Sequence, residues 1–539
     1  MTSDFGALSR RRFLATSSLA ASAVALGAAD PARGNTPQRG GDLRVVYAWF
    51  PNHFLTAIQT GIPNQFAGAQ LFASLVNFDD KWQPIPYLAK SWRVADGGLT
   101  YAFRLVDNAT FHDGKPITSD DVAFSFDVVK KNHPFGPSML GAVDRVETPD
   151  AQTAVFRLTA RHPALLMALT PVLLPIIPKH VYSTGPIRTH PANLKPVGSG
   201  PFKFVSLEPE NNFVLERYEH YFQRGLPYLD RIIYTVVKDS SAIEIALTRG
   251  QAGYTMFSGA MRLNNIVRLK SVKHLVVTEK GYEALGPYDF LEFNLRKAPF
   301  NDLKVRQAVY RAIDRDFISQ KLYLGLSVPQ HSPLVRTDPF YSDQAQKYPY
   351  DLDAARKLLG DYPAKADGMR FSTTLDWYPG GLHVQQVAEY LKAQLAKIGV
   401  DVQLRPAPDF GTWIKRIAAW EHALNLNNVW GYGDPVIGTH RLYRCDNIKN
   451  VPWTNTGGYC NPKLDEVMQK AAVEGDVKKR KELYAEFQSI LTAELPLAWL
   501  YQLPYYTIAH QNLKGLNAGV WGALSPLDQA YWVDGREPA

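Results

Sequence analysis

Three short aromatic stretches hold the residues best suited to grip a ligand. Tyr47-Ala48-Trp49-Phe50-Pro51 follows an apolar opening strand over 42–46. Asp376-Trp377-Tyr378-Pro379-Gly380-Gly381 separates a strand over 371–375 from a long helical pattern. Asn427-Asn428-Val429-Trp430-Gly431-Tyr432-Gly433-Asp434-Pro435 follows a strand over 423–426. Trp and Tyr each offer a flat apolar face with one polar tip, and ligands of open α/β sheets lie beyond the carboxyl ends of strands. A single aromatic of this kind fills a core just as readily, but three such stretches at equivalent strand ends point to a pocket. The expected contacts are Tyr47, Trp49, Phe50, Trp377, Tyr378, Gly380, Gly381, Asn428, Trp430, Gly431, Tyr432 and Asp434. Gly380-Gly381 ahead of a helix leaves backbone N–H groups open to an anion, or is a plain flexible turn. Asp434 before Pro435 is a ligand contact or a cap for the segment that follows.

Catalytic constellations are missing from the sequence. It has no G-x-S-x-G elbow, no H-E-x-x-H and no phosphate loop, and Gly198-Ser199-Gly200 lacks nucleophile spacing. The 13 histidines are dispersed. His331 and His383 have room to meet in space, but a lone histidine is more often a hydrogen-bonded surface residue. No catalytic residue, metal or cofactor is therefore expected. Cys445 and Cys460 are the two cysteines, without C-x-x-C spacing, so a zinc site is disfavoured. In an oxidising compartment they read as a disulfide closing a short loop; otherwise they are two unrelated buried thiols.

The elements around these stretches are those of an α/β protein. Hydrophobic residues at 46% and aromatics at 12% describe a well-packed globular chain. Residues 99–105 alternate Tyr101, Phe103 and Leu105 with Ala102 and Arg104, a half-buried strand. His112-Asp113-Gly114-Lys115 is a tight turn, and Ser119-Asp120-Asp121 caps the next helix. Val305, Ala308, Val309, Ala312 and Ile313 share one helical face; Val384, Val387, Leu391, Leu395 and Ile398 share another. Gly399 ends that second helix, and Val400, Val402 and Leu404 alternate as a strand, so strand, helix and strand form a parallel unit. Two lobes with the chain crossing between them, and a cleft where they meet, follow as the expectation.

The amino terminus stands apart. Ser9-Arg10-Arg11-Arg12-Phe13-Leu14 precedes an Ala- and Ser-rich run to Ala29, in the order of an export signal over residues 1–34, with cleavage near Gly27-Ala28-Ala29 or Ala32-Arg33-Gly34. The paired arginines resemble the twin-arginine type, and the run falls short of the roughly 20 residues that span a bilayer. The formal charge of +8 drops to +6 without those residues, whose four Arg and two Asp carry +2. What remains is spread along the chain in solvated faces such as Lys478 to Lys481, which excludes a nucleic-acid stripe.

Several blocks carry a family resemblance. They are Leu88-Ala89-Lys90-Ser91-Trp92, Asp96 to Tyr101, Phe111-His112-Asp113-Gly114-Lys115-Pro116, Gly198-Ser199-Gly200-Pro201-Phe202, Phe293-Asn294, Pro299-Phe300, Val305-Arg306-Gln307-Ala308, Ala312-Ile313-Asp314-Arg315 and Tyr459-Cys460-Asn461-Pro462. In this order they resemble the family 5 extracellular solute-binding proteins, which include dipeptide- and oligopeptide-binding proteins. The resemblance implies the periplasmic-binding-protein type of α/β fold: two lobes, an extra subdomain in the first, and hinge closure around a central cleft. It places the first-lobe core at 35–85, 195–285 and 510–539, the extra subdomain at 86–194, and the second lobe at 286–509. It implies a periplasmic monomer that captures a peptide or other small solute for an ABC permease and ATPase complex in the inner membrane. A chaperone or sensor role is compatible with the same fold.

The cysteines fall where some relatives carry a disulfide. Dipeptide-binding relatives hold the peptide carboxylate with an Arg in the second stretch and its ammonium with an Asp in the third. Tyr378 and Gly431 occupy those positions, so both charged clamps are absent. A buried ammonium without its counter-charge costs several kcal/mol, which leaves a longer peptide held by its backbone or an oligosaccharide or opine-like solute.

Overall fold

The opening strand Asp42–Tyr47 buries Leu43, Val45, Val46 and Tyr47 because strands flank it on both sides. It runs parallel to Arg231–Val236 and, on its other edge, to Tyr254–Thr255. The computed structural model describes residues 37–258, 261–503, 505–516 and 519–537, and the expected export segment at 1–34 lies outside them. From edge to edge the seven-stranded sheet runs Leu275–Thr278, Thr507–His510, Tyr254–Thr255, Asp42–Tyr47, Arg231–Val236, Asn212–Arg217 and Phe202–Glu208.

A second sheet, of six strands, is ordered Val328–Pro329, Leu497–Gln502, Tyr288–Phe293, Leu424–Val429, Phe371–Trp377 and Val400–Pro406. The parallel unit expected from the periodicity is present, with Phe371 opposite Val400 and helix Leu382–Ala396 between the strands. Val384, Val387, Leu391 and Leu395 of that helix are fully buried. Gly399, at φ 84°, turns the chain back, and a side chain there would be strained and press on Arg370. An antiparallel four-stranded sheet, Ala89–Ala95, Thr100–Leu105, Thr153–Leu158 and Val143–Asp150, packs beneath helix Ser119–Asn132 through Phe126 and Phe156. The cap of that helix is Thr118, in a reciprocal bond with Asp121, one residue ahead of the expected Ser119.

The two larger sheets each have their own core. The chain passes from the seven-stranded to the six-stranded sheet through 279–287 and returns through 503–506. Three strands run further than the sequence implies. Tyr47 pairs with Val236, Trp377 with Pro406 and Leu426, and Asn428 with Asp289, so these three belong to strand ends, not to loops. Their backbone groups are satisfied by neighbouring strands, which overrides the turn-like residues that follow each one.

Cys445 and Cys460 are joined in a disulfide that closes a loop of sequence separation 15. Asn455 ties the loop internally, donating to the carbonyls of Arg444 (3.0 Å) and Tyr459 (2.6 Å). A cross-link closing about 15 residues stabilises by about 3 kcal/mol through the entropy it removes from the unfolded chain. The double variant Cys445→Ser/Cys460→Ser is expected to lose about that much in urea unfolding while keeping its far-UV spectrum.

Candidate functional site

Side chains from both large sheets meet around Tyr505, in the returning crossing. Its ring contacts Phe257 (5.4 Å) and Tyr282 (5.8 Å) on the side of the seven-stranded sheet. Its hydroxyl lies beside Trp430 and within the field of Asp289 and Tyr432 on the other. Tyr47 reaches the same place, in the field of Tyr234, Tyr282 and Tyr505. Burial pushes its phenol well up, and its hydroxyl has no hydrogen-bond partner among the described residues.

In the first stretch, Trp49 stands edge-on to Tyr47 at 5.5 Å with 49% of its surface exposed, and its carbonyl accepts from the Tyr234 hydroxyl at 2.6 Å. Phe50 packs, partly buried, on the first core. In the second stretch, Trp377 is buried in the second core. Tyr378, partly buried, donates its hydroxyl to Asp289 at 3.1 Å. Gly380 lies so close under the Tyr378 ring that a Cβ would sit 2.2 Å from it, which explains glycine at this position. The Gly380 N–H is already bonded to the Tyr378 carbonyl at 2.7 Å, so it is not open to an anion, while Gly381 is exposed and heads helix Leu382–Ala396.

In the third stretch, the Asn428 side chain lies beside the Tyr378 hydroxyl. Trp430 and Tyr432 stack at a tilt, 6.0 Å apart. Gly431 and Gly433 donate to the carbonyls of Leu285 and Ala284, fastening the stretch to the first crossing. Tyr432 is buried against Phe135 of the four-stranded-sheet region at 4.6 Å, and the Arg441 guanidinium lies over that same Phe135 ring. Asp434 is taken up elsewhere. Both its oxygens accept from Arg480, at 2.8 and 2.9 Å, and it caps Val436, all in buried surroundings. The carboxylate thus serves as a cap and as the partner of Arg480.

Sequence reasoning missed Asp289, Tyr323, Tyr501 and Tyr505. Asp289 is 1% exposed. Its Oδ2 accepts from Tyr501 at 2.6 Å and from Tyr378 at 3.1 Å, and Tyr323 donates to the Tyr501 hydroxyl at 2.9 Å. Burial raises its carboxyl to about 7, against the opposing pull of the two phenol bonds. The available signal was an aspartate inside Tyr288–Phe293, a strand otherwise apolar except for Glu292. His383 sits nearby with its ring 5.5 Å from Tyr323, and burial lowers it to about 4. Among the described residues, no three His, Cys, Asp or Glu side chains gather to hold a metal ion, and no helix is long and apolar enough to cross a membrane.

Two sheets joined by paired crossings, with aromatic groups from both converging between them, define a two-lobed binding protein. A family model for bacterial extracellular solute-binding proteins, family 5 Middle, matches residues 83–450, and the chain belongs to that family. It is 28% identical over 514 residues to the oligopeptide-binding protein AppA of Bacillus subtilis, covering 89% of each chain. The structure of that AppA in complex with a nonapeptide superposes with a TM-score of 0.78 at 25% identity, over 92% of this chain and 100% of that one. AgaA from A. tumefaciens R10, in complex with agropinic acid, shares the fold with a TM-score of 0.76 at 22% identity, over 91% of this chain and 100% of its own.

The Asp434–Arg480 pair is expected to serve the fold. Arg480→Met strands a buried carboxylate, which costs about 3–5 kcal/mol, and adding Asp434→Asn is expected to return most of that loss in urea unfolding. Loss of solute affinity with stability intact would instead make the pair a ligand contact.

Proposed function

We propose that the chain is the periplasmic solute-binding subunit of an ABC importer. It captures a peptide or peptide-like solute between its lobes and hands it to permease and ATPase subunits in the inner membrane. The observation that carries this reading is the convergence of Tyr47, Tyr378, Trp430 and Tyr505 from both sheets on one buried, partly polar place between them. Aromatic walls with few fixed charges suit a solute held by its backbone and by stacking. Family membership and the AppA likeness support the same reading.

Trp49, Phe50, Gly381, Asn428, Gly431 and Tyr432 complete the proposed contacts, with Trp377 as support behind Tyr378. The protein acts as a monomer, carries out no reaction on its solute, and reaches the periplasm by the twin-arginine-type signal at 1–34. The boundaries of the first-lobe core, the subdomain at 86–194 and the second lobe at 286–509 belong to the same proposal. A second reading, a non-peptide solute such as an oligosaccharide or an opine-like conjugate, draws on the lack of any Arg or Lys among the proposed contacts.

Native mass spectrometry of the protein from its own periplasm decides between the two. A ladder of peptide masses is expected; a single non-peptide mass overturns the peptide reading. Trp430→Ala is expected to weaken capture tenfold or more, as loss of a stacked aromatic worth about 1.5–3 kcal/mol implies, with the melting temperature little changed. Fluorescence titration of the retained solute reads this out.

A further inference from the structure

Among its described residues the second lobe buries Asp289, Glu292, Asp376 and Asp434 almost completely, with Asp338 partly buried and near Asp434 and Arg480. Asp434 is held by Arg480, and Asp376 by both Arg405 and Arg416. Glu292 accepts from Asn425 and Thr456 and faces His422 at 3.9 Å. Asp289 differs from all three, since its close neighbours are phenols and no cation shifts its titration. Its two oxygens are also unequal. Oδ2 accepts two phenol bonds, whereas Oδ1 has one long contact, 3.4 Å from the Tyr378 hydroxyl.

A carboxylate taken out of water without a counter-charge is costly, and a fold that needed only shape there would use an apolar residue or an amide. This one lies where the lobes meet. Strand pairing sets it between Asn428, a proposed contact, and Tyr501 of the strand that leads into the returning crossing, and its field reaches Tyr505 and Tyr378. Phenol rings around a carboxylate also present π faces to a cation. We propose that Asp289 anchors a protonated amine of the solute, with Oδ1 as the acceptor and the hydroxyls of Tyr378 and Tyr501 fixing Oδ2. This rests on the solute-capture reading and narrows it to solutes with a positively charged amine. The amine is the amino terminus of a peptide or a lysine-like side chain.

The pairing has a pH signature. The groups facing Asp289 are Tyr378 on the second aromatic stretch, Tyr501 on Leu497–Gln502, Tyr323 after the helical turn 318–322, and Tyr505 in the crossing, with His383 behind Tyr323. Burial holds the phenols above their usual range and His383 at about 4. Asp289, raised by burial to about 7, is thus the group of this set that titrates around neutral pH. An ammonium binds its ionised form, so capture displaces the proton, and affinity is expected to fall about tenfold per unit as pH drops below 7.

The test uses random tetrapeptide libraries in three forms: free amino termini, N-acetylated without Lys or Arg, and N-acetylated with Lys. Binding to the full exported protein is read by melting shift and by mass spectrometry of retained peptides. The inference expects the free-amine library to bind at least thirtyfold more tightly than the acetylated Lys-free one. It also expects Asp289→Asn to erase that preference and flatten the pH profile, and to melt no lower than the wild type without solute at pH 7.5. Rescue by the Lys-containing library assigns the amine to a side chain, and its absence assigns it to the amino terminus. Equal binding of free and acetylated Lys-free libraries overturns the role of Asp289 and leaves peptide capture standing. If no library binds, peptide capture falls, and the solute retained from the periplasm decides the role of Asp289: a solute without a protonated amine overturns it. The wild-type pH profile keeps the inference falsifiable if the variant does not fold.

Discussion

Two stretches of chain, 279–287 and 503–506, make every covalent connection between the seven-stranded and six-stranded sheets, and the site is organised around them. They are bonded to each other, Leu503 donating to the Pro287 carbonyl at 3.1 Å. They are also bonded to what they separate. Tyr282 in the first crossing accepts from the backbone of Phe257 and meets the Thr507 hydroxyl, while Ala284 and Leu285 receive Gly433 and Gly431 of the third aromatic stretch. Hinge motion concentrates in a few residues of this kind. Here the third stretch is fastened to the hinge itself, so a change in the angle between the sheets displaces Trp430 and Tyr432 along with it.

The way the second lobe disposes of buried charge divides its residues by role. Two of its buried carboxylates are met by guanidinium groups, as Arg480 meets Asp434 and as Arg405 and Arg416 meet Asp376, while Glu292 is met by Asn425 and Thr456. Breaking such pairs is expensive because the survivor stays buried. This is why an aspartate in the most ligand-like stretch of the sequence, Asp434, turns out to hold helix Val477–Glu494 through Arg480. The proximity of Asp434 to Trp430 in sequence carries no information about which way its charge is spent.

The parts legible in the sequence were those governed by local periodicity and by blocks of residues. Helix Leu382–Ala396, its terminating Gly399 and the parallel strand after it followed from spacing alone, and the two-lobed fold followed from the family blocks. Strand ends were less legible. Tyr47, Trp377 and Asn428 look like loop residues because turn formers follow them, yet tertiary strand pairing claims them. Asp289 was invisible for a related reason. It lies in a strand buried on both faces, where alternation gives no cue to which side chain meets the cleft, and its neighbours Tyr501 and Tyr378 come from 212 and 89 residues away.

Flat aromatic faces at strand ends accept apolar surface of many kinds. The same architecture seats a nonapeptide in AppA and agropinic acid in AgaA, and flat apolar faces are indifferent to that difference. Discrimination must come from groups whose cost depends on what they meet, and a buried carboxylate is the most demanding of these. Left unpaired it opposes its own ionisation, and paired it contributes in proportion to how well it is shielded from water. Asp289 is placed to act this way, because Tyr501 and Tyr378 hold one oxygen in phenol bonds of 2.6 and 3.1 Å while the other has a single contact at 3.4 Å. On the proposed reading the aromatic walls supply general affinity, and one polar atom, set in the strand next to the crossing, sets the condition that a solute has to satisfy.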